Sequence, residues 1–124
     1  MKGQLTLPKR ERLCSFGALR RLFSEGKGGF VYPLRYVVYV EGATDASAEV
    51  LFSTPKKFLK RANKRNLVRR RMREAYRLNK DILLDSGKEF EADIALIYST
   101  KEVLDYQIVE NAIKKILRNI VEQM

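Results

Sequence analysis

The run PKKFLKRANKRNLVRRRMREAYRLNK, from Pro55 to Lys80, constrains the fold more than any other part of the chain. At about 100° per residue, Val68, Met72, Ala75, Tyr76 and Ile82 fall on one side of a helix, with Leu67 and Leu78 at its edge. Asn63, Asn66, Arg69, Arg70, Arg73 and Arg77 fall opposite. One helix therefore has an apolar stripe to bury and a basic face to leave in solvent. Arg69, Arg73 and Arg77 form a column at i, i+4 and i+8, and Glu74 at its border is the one acid. Like charges at that spacing destabilise a helix by roughly 0.2–0.5 kcal/mol per pair. The segment needs a sheet or helix beneath its apolar side and an anionic partner above its basic one.

The flanking sequence supplies the sheet. SFGALRRLFSEG reads as a short first helix, with Ser15 as cap, Phe16, Leu19, Leu22 and Phe23 as apolar stripe and Gly26 as stop. GKGG reads as a flexible turn. FVYPLRYVVYVEG reads as a short edge strand and a longer one, separated at Pro33. In the longer strand Leu34, Tyr36, Val38 and Val40 share one face, and Arg35, Val37 and Tyr39 the other. ATDAS is a polar turn and AEVLFSTP a third strand. The basic helix follows and is expected to run on through DILLDSG. ADIALIYS is apolar enough to be a strand buried on both faces. DYQIVENAIKKILRNIVEQM closes the chain as an amphipathic helix, with Val109, Ala112, Ile113, Ile116, Leu117, Ile120 and Val121 at helical spacing and Asp105 as cap. A strand, a helix and a strand imply a parallel pair joined by the basic helix. The expectation is a single domain over residues 1–124, an α+β two-layer sandwich in the order α-β-β-β-α-β-α.

Charge narrows the function. Between Lys56 and Lys80 there are 12 Lys and Arg against one acid, leaving 13 basic and 14 acidic residues elsewhere. The whole excess sits on one helix and its lead-in. Solvated helix faces mix signs, because opposite pairs at i,i+4 stabilise them; this face forgoes nearly all such pairs, which points to a polyanion. Arginine predominates over the second half, and guanidinium suits bidentate phosphate contacts and stacking on bases. A membrane surface would want bulky apolar residues free to insert, whereas here they are needed as core. A basic helix can enter the major groove of DNA, but one committed to a sheet is a less natural groove reader. Arg35 and Tyr39 place a cation beside a ring on one sheet face, with Phe16 or Phe23 adding a ring from the first helix, an arrangement that holds single-stranded nucleic acid by stacking. Each of those rings also fits a core position.

Cys14 is the single cysteine and the chain has no histidine, so no intrachain disulfide forms and a reducing, cytoplasmic setting is expected. No apolar run approaches the roughly 20 residues that span a bilayer, and MKGQLTLPKRERLC lacks the apolar core of a secretory signal. Phosphodiester hydrolysis by the protein itself would call for carboxylates or histidines around a metal-activated water. The acids lie mainly toward the second half of the chain, in contexts read as helical or turn and explained by solvation.

KRANKRNLVRRRMREAYR resembles the signature helix of the bacterial ribonuclease P protein family. Arg65, Asn66, Arg69, Arg70 and Arg73 match its basic and polar positions, and Glu74, Ala75 and Tyr76 match its ending. KRERLCSFGALRRLFSEG is similar to the family's first helix and FSTPKK to its strand running into basic residues. In one respect the chain departs: where the family places an Arg after Arg65-Asn66 this chain has Leu67, and one turn on it has Arg71 where an apolar residue is common. Total charge is preserved.

The resemblance implies a four-stranded mixed sheet with three helices and a left-handed crossover, against the usual hand. It implies two RNA partners and no membrane or small-molecule substrate: the catalytic RNA subunit and precursor tRNA, whose 5′ leader is removed by Mg²⁺-dependent cleavage. The catalytic centre and the Mg²⁺ lie mainly in the RNA, and the protein holds no metal tightly and no catalytic residue of its own. Arg65, Asn66, Arg69, Arg70, Arg73 and Arg77 are expected to bind RNA, with phosphate contacts from Lys56, Lys57, Lys60 and Arg61. Phe16, Phe23, Arg35, Val37 and Tyr39 are expected to line a cleft for the leader. Two rivals are another structured-RNA-binding module and a self-sufficient nuclease.

Overall fold

The computed structural model describes residues 16–124. Cys14, the expected cap Ser15 and the side chain of Phe16 lie outside the described residues. The elements are α1 (Phe16–Glu25), β1 (Lys27–Val31), β2 (Leu34–Gly42), β3 (Ala46–Ser53), α2 (Ala62–Asn79), α3 (Asp81–Leu84), β4 (Phe90–Tyr98) and α4 (Tyr106–Gln123). The sheet runs β1-β2-β4-β3, with β1/β2 and β2/β4 antiparallel and β3/β4 parallel. The basic helix thus crosses between two parallel, adjacent strands, as the strand–helix–strand pattern requires.

The sheet is covered unequally. On one face Leu34, Tyr36, Val38, Val50, Ile94 and Leu96 are buried against α2 and α4. Val68, Met72, Ala75 and Tyr76 form the buried stripe of α2, and the Tyr76 ring meets Phe52 edge-on, 6.0 Å between centroids. Helix α4 buries Val109, Ala112, Ile113, Ile116, Leu117 and Ile120. Asp105 takes the extended N-cap position of α4, but its carboxylate accepts no capping hydrogen bond; its backbone carbonyl accepts from Ile108 and Val109 instead. On the other face the smaller helix α1 packs Leu22 and Leu19 against Ala95, Val37, Tyr39, Leu51 and Ile97. Burying Leu22 completely is worth about 1.5–3 kcal/mol, enough to dock a short helix while leaving much of that face open.

Two local expectations are corrected. The GKGG stretch is strand, not turn: Lys27–Val31 pairs with β2 over its whole length. Gly29 belongs there because the Tyr36 ring lies where a Cβ would stand, and Gly26 lets the end of α1 approach β2 so closely that a Cβ would meet Leu22 and Val37. The basic helix also ends earlier than DILLDSG, at Asn79. The Asn79 side chain donates to the Ala75 carbonyl at 2.8 Å and to Glu110 Oε2 at 3.0 Å. That side-chain bond competes with the helical ladder, and the chain restarts as the one-turn α3.

Candidate nucleic-acid interface

The basic surface begins where β3 ends. Phe58 and Leu59 N–H groups donate to the Pro55 carbonyl and Leu59 is buried, so the lead-in is a folded turn. Lys56, Lys57, Lys60 and Arg61 stand exposed on it. Arg61 occupies the N-cap of α2 with no side-chain cap and no acid in the first turn. The positive end of the helix dipole therefore points among cations, an arrangement that favours an anion.

Along α2 the arginines divide by what they touch. Arg65 Nη1 donates to the Leu59 and Lys60 carbonyls at 3.0 and 2.8 Å, clamping the lead-in to the helix. Arg69 donates to Thr54 Oγ1 at 2.8 Å and to Asn66 Oδ1 at 3.3 Å. Arg77 makes a two-pronged bond to Glu74 at 2.7 and 2.8 Å, which holds the Glu74 carboxyl below its usual range. Asn66 and Arg70 are exposed, and Arg73 is half-buried with Nε lacking any hydrogen-bond partner. The expected column of Arg69, Arg73 and Arg77 is therefore one of unlike parts, a strut, a half-buried cation and a member of an internal pair, with Arg65 a second strut and Arg70 exposed beside them.

The Leu67/Arg71 exchange has a structural outcome. Arg71 reaches across to donate to the Leu104 carbonyl, just ahead of α4. With Leu67, Arg70, Arg73, Glu74, Arg77 and Tyr106 it lines an open groove of about 590 Å³. Tyr106 was not foreseen; its hydroxyl donates to Glu110 Oε2 at 3.2 Å, and burial with Glu110 beside it pushes its pKa up to about 12. A ring at the first position of α4 becomes part of the basic surface only once α4 packs on α2.

The second surface is the sheet face under α1. Arg35 is exposed there, Val37 and Tyr39 are half-buried, and Phe23 on α1 is 55% exposed. The face is polarised along its length. At one end Arg35 aligns with Ile97 and Ser53, and Ser53 leads into Thr54 and the basic lead-in. At the other, Tyr39 aligns with Asp93 and Glu49, and Glu41 with Glu91. Arg21 of α1 sits over these acids, 3.1 Å from Asp93 and 3.7 Å from Glu41, with its guanidinium 4.9 Å from the Tyr39 ring centroid. The Tyr39 hydroxyl donates to Glu41 at 2.9 Å. Burial, then Asp93 and Glu91, pushes the Glu49 carboxyl above its ordinary range.

Glu41, Glu49 and Asp93 fall on the strands expected of their segments, and Glu91 joins them because β4 begins at Phe90, ahead of ADIALIYS. The alternation of Glu89, Glu91 and Asp93 in KEFEADIA was the available signal. Among the described residues no group of three or more His, Cys, Asp or Glu has a metal-holding arrangement, and no helix is long and apolar enough to cross a membrane.

The Ribonuclease P family profile matches residues 7–121. A Porphyromonas gingivalis protein named ribonuclease P protein component is 43% identical over 118 residues, covering 92% of this chain and 85% of its own. A Chlorobaculum tepidum protein of the same name is 38% identical over 109 residues, covering 77% of this chain and 68% of its own. Among solved structures, the RNase P protein from Thermotoga maritima superposes with a TM-score of 0.70 at 25% identity, over 89% of this chain and 97% of that one. The Staphylococcus aureus RNase P protein does so at 0.67 and 18% identity, over 94% and 93%, a likeness of fold alone.

Proposed function

The chain belongs to the ribonuclease P protein family, and from that premise we propose that it is the protein subunit of a ribonuclease P whose catalytic centre lies in RNA. It binds the catalytic RNA through the exposed cations of the α2 lead-in and of α2 itself, and it holds the 5′ leader of precursor tRNA on the open sheet face. The enzyme it serves removes that leader, in the cytoplasm, to give the mature 5′ end.

One observation carries this reading. The row of Arg35, Ile97 and Ser53 runs directly into Thr54, Pro55 and Lys56. The open face and the basic segment therefore meet at one end of the sheet, and a strand of RNA leaving the face at that end passes onto the cations without crossing an acidic rim. Its phosphates would be neutralised by Lys56, Lys57, Lys60 and Arg61, and those of the catalytic RNA by Arg70 and Arg73. Arg65 and Arg69, whose guanidinium groups are partly engaged by carbonyls and Thr54, fix the surface and offer their remaining donors with Asn66.

Magnesium bound in the RNA supplies an activated water for phosphodiester hydrolysis. The protein's part is to lower the repulsion between two polyanions brought together, which raises the affinity of the assembly for divalent ions. The test is cleavage of a 5′-extended precursor tRNA at low Mg²⁺ and moderate salt, by the protein, by a bacterial ribonuclease P RNA, and by both. Cleavage at the mature 5′ end by the mixture alone is expected. Cleavage by the RNA that is unaffected by the protein would refute the proposal, as would cleavage by the protein alone.

A further inference from the structure

Two rings stand in solvent at the Arg35 end of the sheet. Phe30 is 55% exposed and Tyr32 53% exposed, their centroids 6.5 Å apart and their planes at 66°. Phe30 pairs directly with Arg35 across the β1–β2 ladder, so the two side chains emerge on the same face. The neighbouring positions fix this sidedness, since Val31 and Leu34 pair with each other and turn into the main core. The Tyr32 hydroxyl shares a hydrogen bond with Thr100 Oγ1 at 3.4 Å, which sets that ring beyond the strand end. Next along β1 on this face comes Gly28, opposite Val37, and it raises no side chain between the Phe30 ring and the end of α1.

We propose that Phe30 and Tyr32 form a further stacking site for the unpaired bases of the leader, continuing its path past Arg35 to the sheet edge. The proposal rests on the reading of this face as the leader's path. An anionic strand lying there, with one end on the cations beyond Ser53, has two ways to continue across the face. One passes Asp93, Glu49, Glu91 and Glu41, where Arg21 faces the acids but is already engaged by Asp93 and Glu41. Its ring, Tyr39, is covered by the same guanidinium. The other passes an exposed guanidinium and two uncovered rings. Phosphates are repelled at the first exit and attracted at the second, and base stacking on an aromatic ring holds whatever base arrives. Partly solvated rings beside a cation are also poor contributors to folding, so their placement there is not required by the core.

Among the described residues the outer edge of β1 is unpaired, and edge strands also join second copies of a chain; the experiment separates the two occupants. The complex of this protein with a bacterial ribonuclease P RNA is titrated with precursor tRNAs whose leaders grow one nucleotide at a time. In the native complex affinity should rise again at the length that reaches the ring pair. Replacing both rings, Phe30→Ala with Tyr32→Ala, should remove that outer step, roughly tenfold, and leave the affinity for shorter leaders unchanged. An abasic nucleotide at that position should remove the step from the native complex and cost nothing more in the variant. If Arg35→Ala weakens leader binding while the double variant binds every length normally, the ring site is wrong and the leader path stands. If leader length and Arg35→Ala both leave affinity unmoved, the path itself falls and this site with it. A protein dimer in sedimentation that the double variant dissolves, with leader affinity intact, would assign the edge to self-association and overturn the proposal.

Discussion

The guanidinium of Arg71 donates to the backbone carbonyl of Leu104, binding the middle of α2 to the turn that launches α4. The same turn is gathered around Tyr98, whose hydroxyl donates to the Glu102 carbonyl at 2.6 Å and accepts from the Leu104 N–H at 3.1 Å. An arginine that occupies the basic segment by sequence is thus a strut by structure. Replacing it with Met, which keeps the apolar stem, should cost about 1–3 kcal/mol, because a carbonyl loses a charged donor. The salt dependence of RNA binding should not change. Denaturant unfolding and a salt titration read the two quantities separately; a shallower salt slope with unchanged stability would make Arg71 a phosphate contact instead.

Arg70 and Arg73 should behave in the opposite way. Each Ala substitution removes a cation, exposed at Arg70 and half-buried at Arg73, without breaking a described hydrogen bond. The slope of log K against log salt should fall by roughly one unit per residue, with stability held within about 0.5 kcal/mol. Arg65→Ala should move both readouts, since its donors hold the Leu59 and Lys60 carbonyls. Equal effects from Arg65, Arg70 and Arg71 would mean that the basic face acts only through its total charge.

The difference among these arginines marks where the sequence stops being informative. Periodicity found the buried stripe of α2 because Val68, Met72, Ala75 and Tyr76 are related by one helix, whose geometry is local. It likewise put Arg35, Val37 and Tyr39 on one side of β2, a matter of alternation. The carbonyl that Arg71 reaches lies 33 residues away, and no local pattern encodes that meeting. The acidic end of the sheet face was hidden for the same reason: Glu41, Glu49 and Asp93 become neighbours only through the register of three strands. Gly28 and Gly29 read as a turn because the ring that makes a glycine necessary, Tyr36, sits on the next strand.

That last contact gives an internal control. Gly28 and Gly29 are adjacent in one edge strand, so an Ala at either changes the unfolded chain alike. At Gly29 the added methyl collides with the Tyr36 ring; at Gly28 the nearest atom is the Tyr36 carbonyl oxygen at 3.6 Å, ordinary contact. Gly29→Ala should therefore destabilise by about 1–3 kcal/mol, and Gly28→Ala should stay within about 0.5 kcal/mol of the native protein. Adding Tyr36→Leu to Gly29→Ala should restore part of the loss relative to Tyr36→Leu alone, a coupling that thermal or denaturant unfolding of the four proteins measures. Equal losses at the two glycines would show that strand propensity, not the ring, selects them.

Proton binding distinguishes the two kinds of acid. Glu49 is pushed above the ordinary carboxylate range by burial, then by Asp93 and Glu91. The fold holds that proton more tightly than the unfolded chain does, so this site favours folding most below the unfolded value near 4.5 and loses that advantage as pH rises through the higher folded value. Glu49→Gln should therefore be more stable than the native protein at pH 7, with the gap closing toward pH 4. Glu74 runs the other way. Its hydrogen bond from Arg77 lowers its pKa, so its contribution is present above the unfolded value and is lost as acid titrates through the folded one. Glu74→Gln should be the less stable protein at pH 7 and its equal in acid, by a small margin because the pair is exposed. Denaturant midpoints of the three proteins at both pH values decide it. If Glu49→Gln differs from the native protein by the same amount at pH 4 and pH 7, the charge crowding on the sheet face does not reach Glu49, and its effect is one of packing.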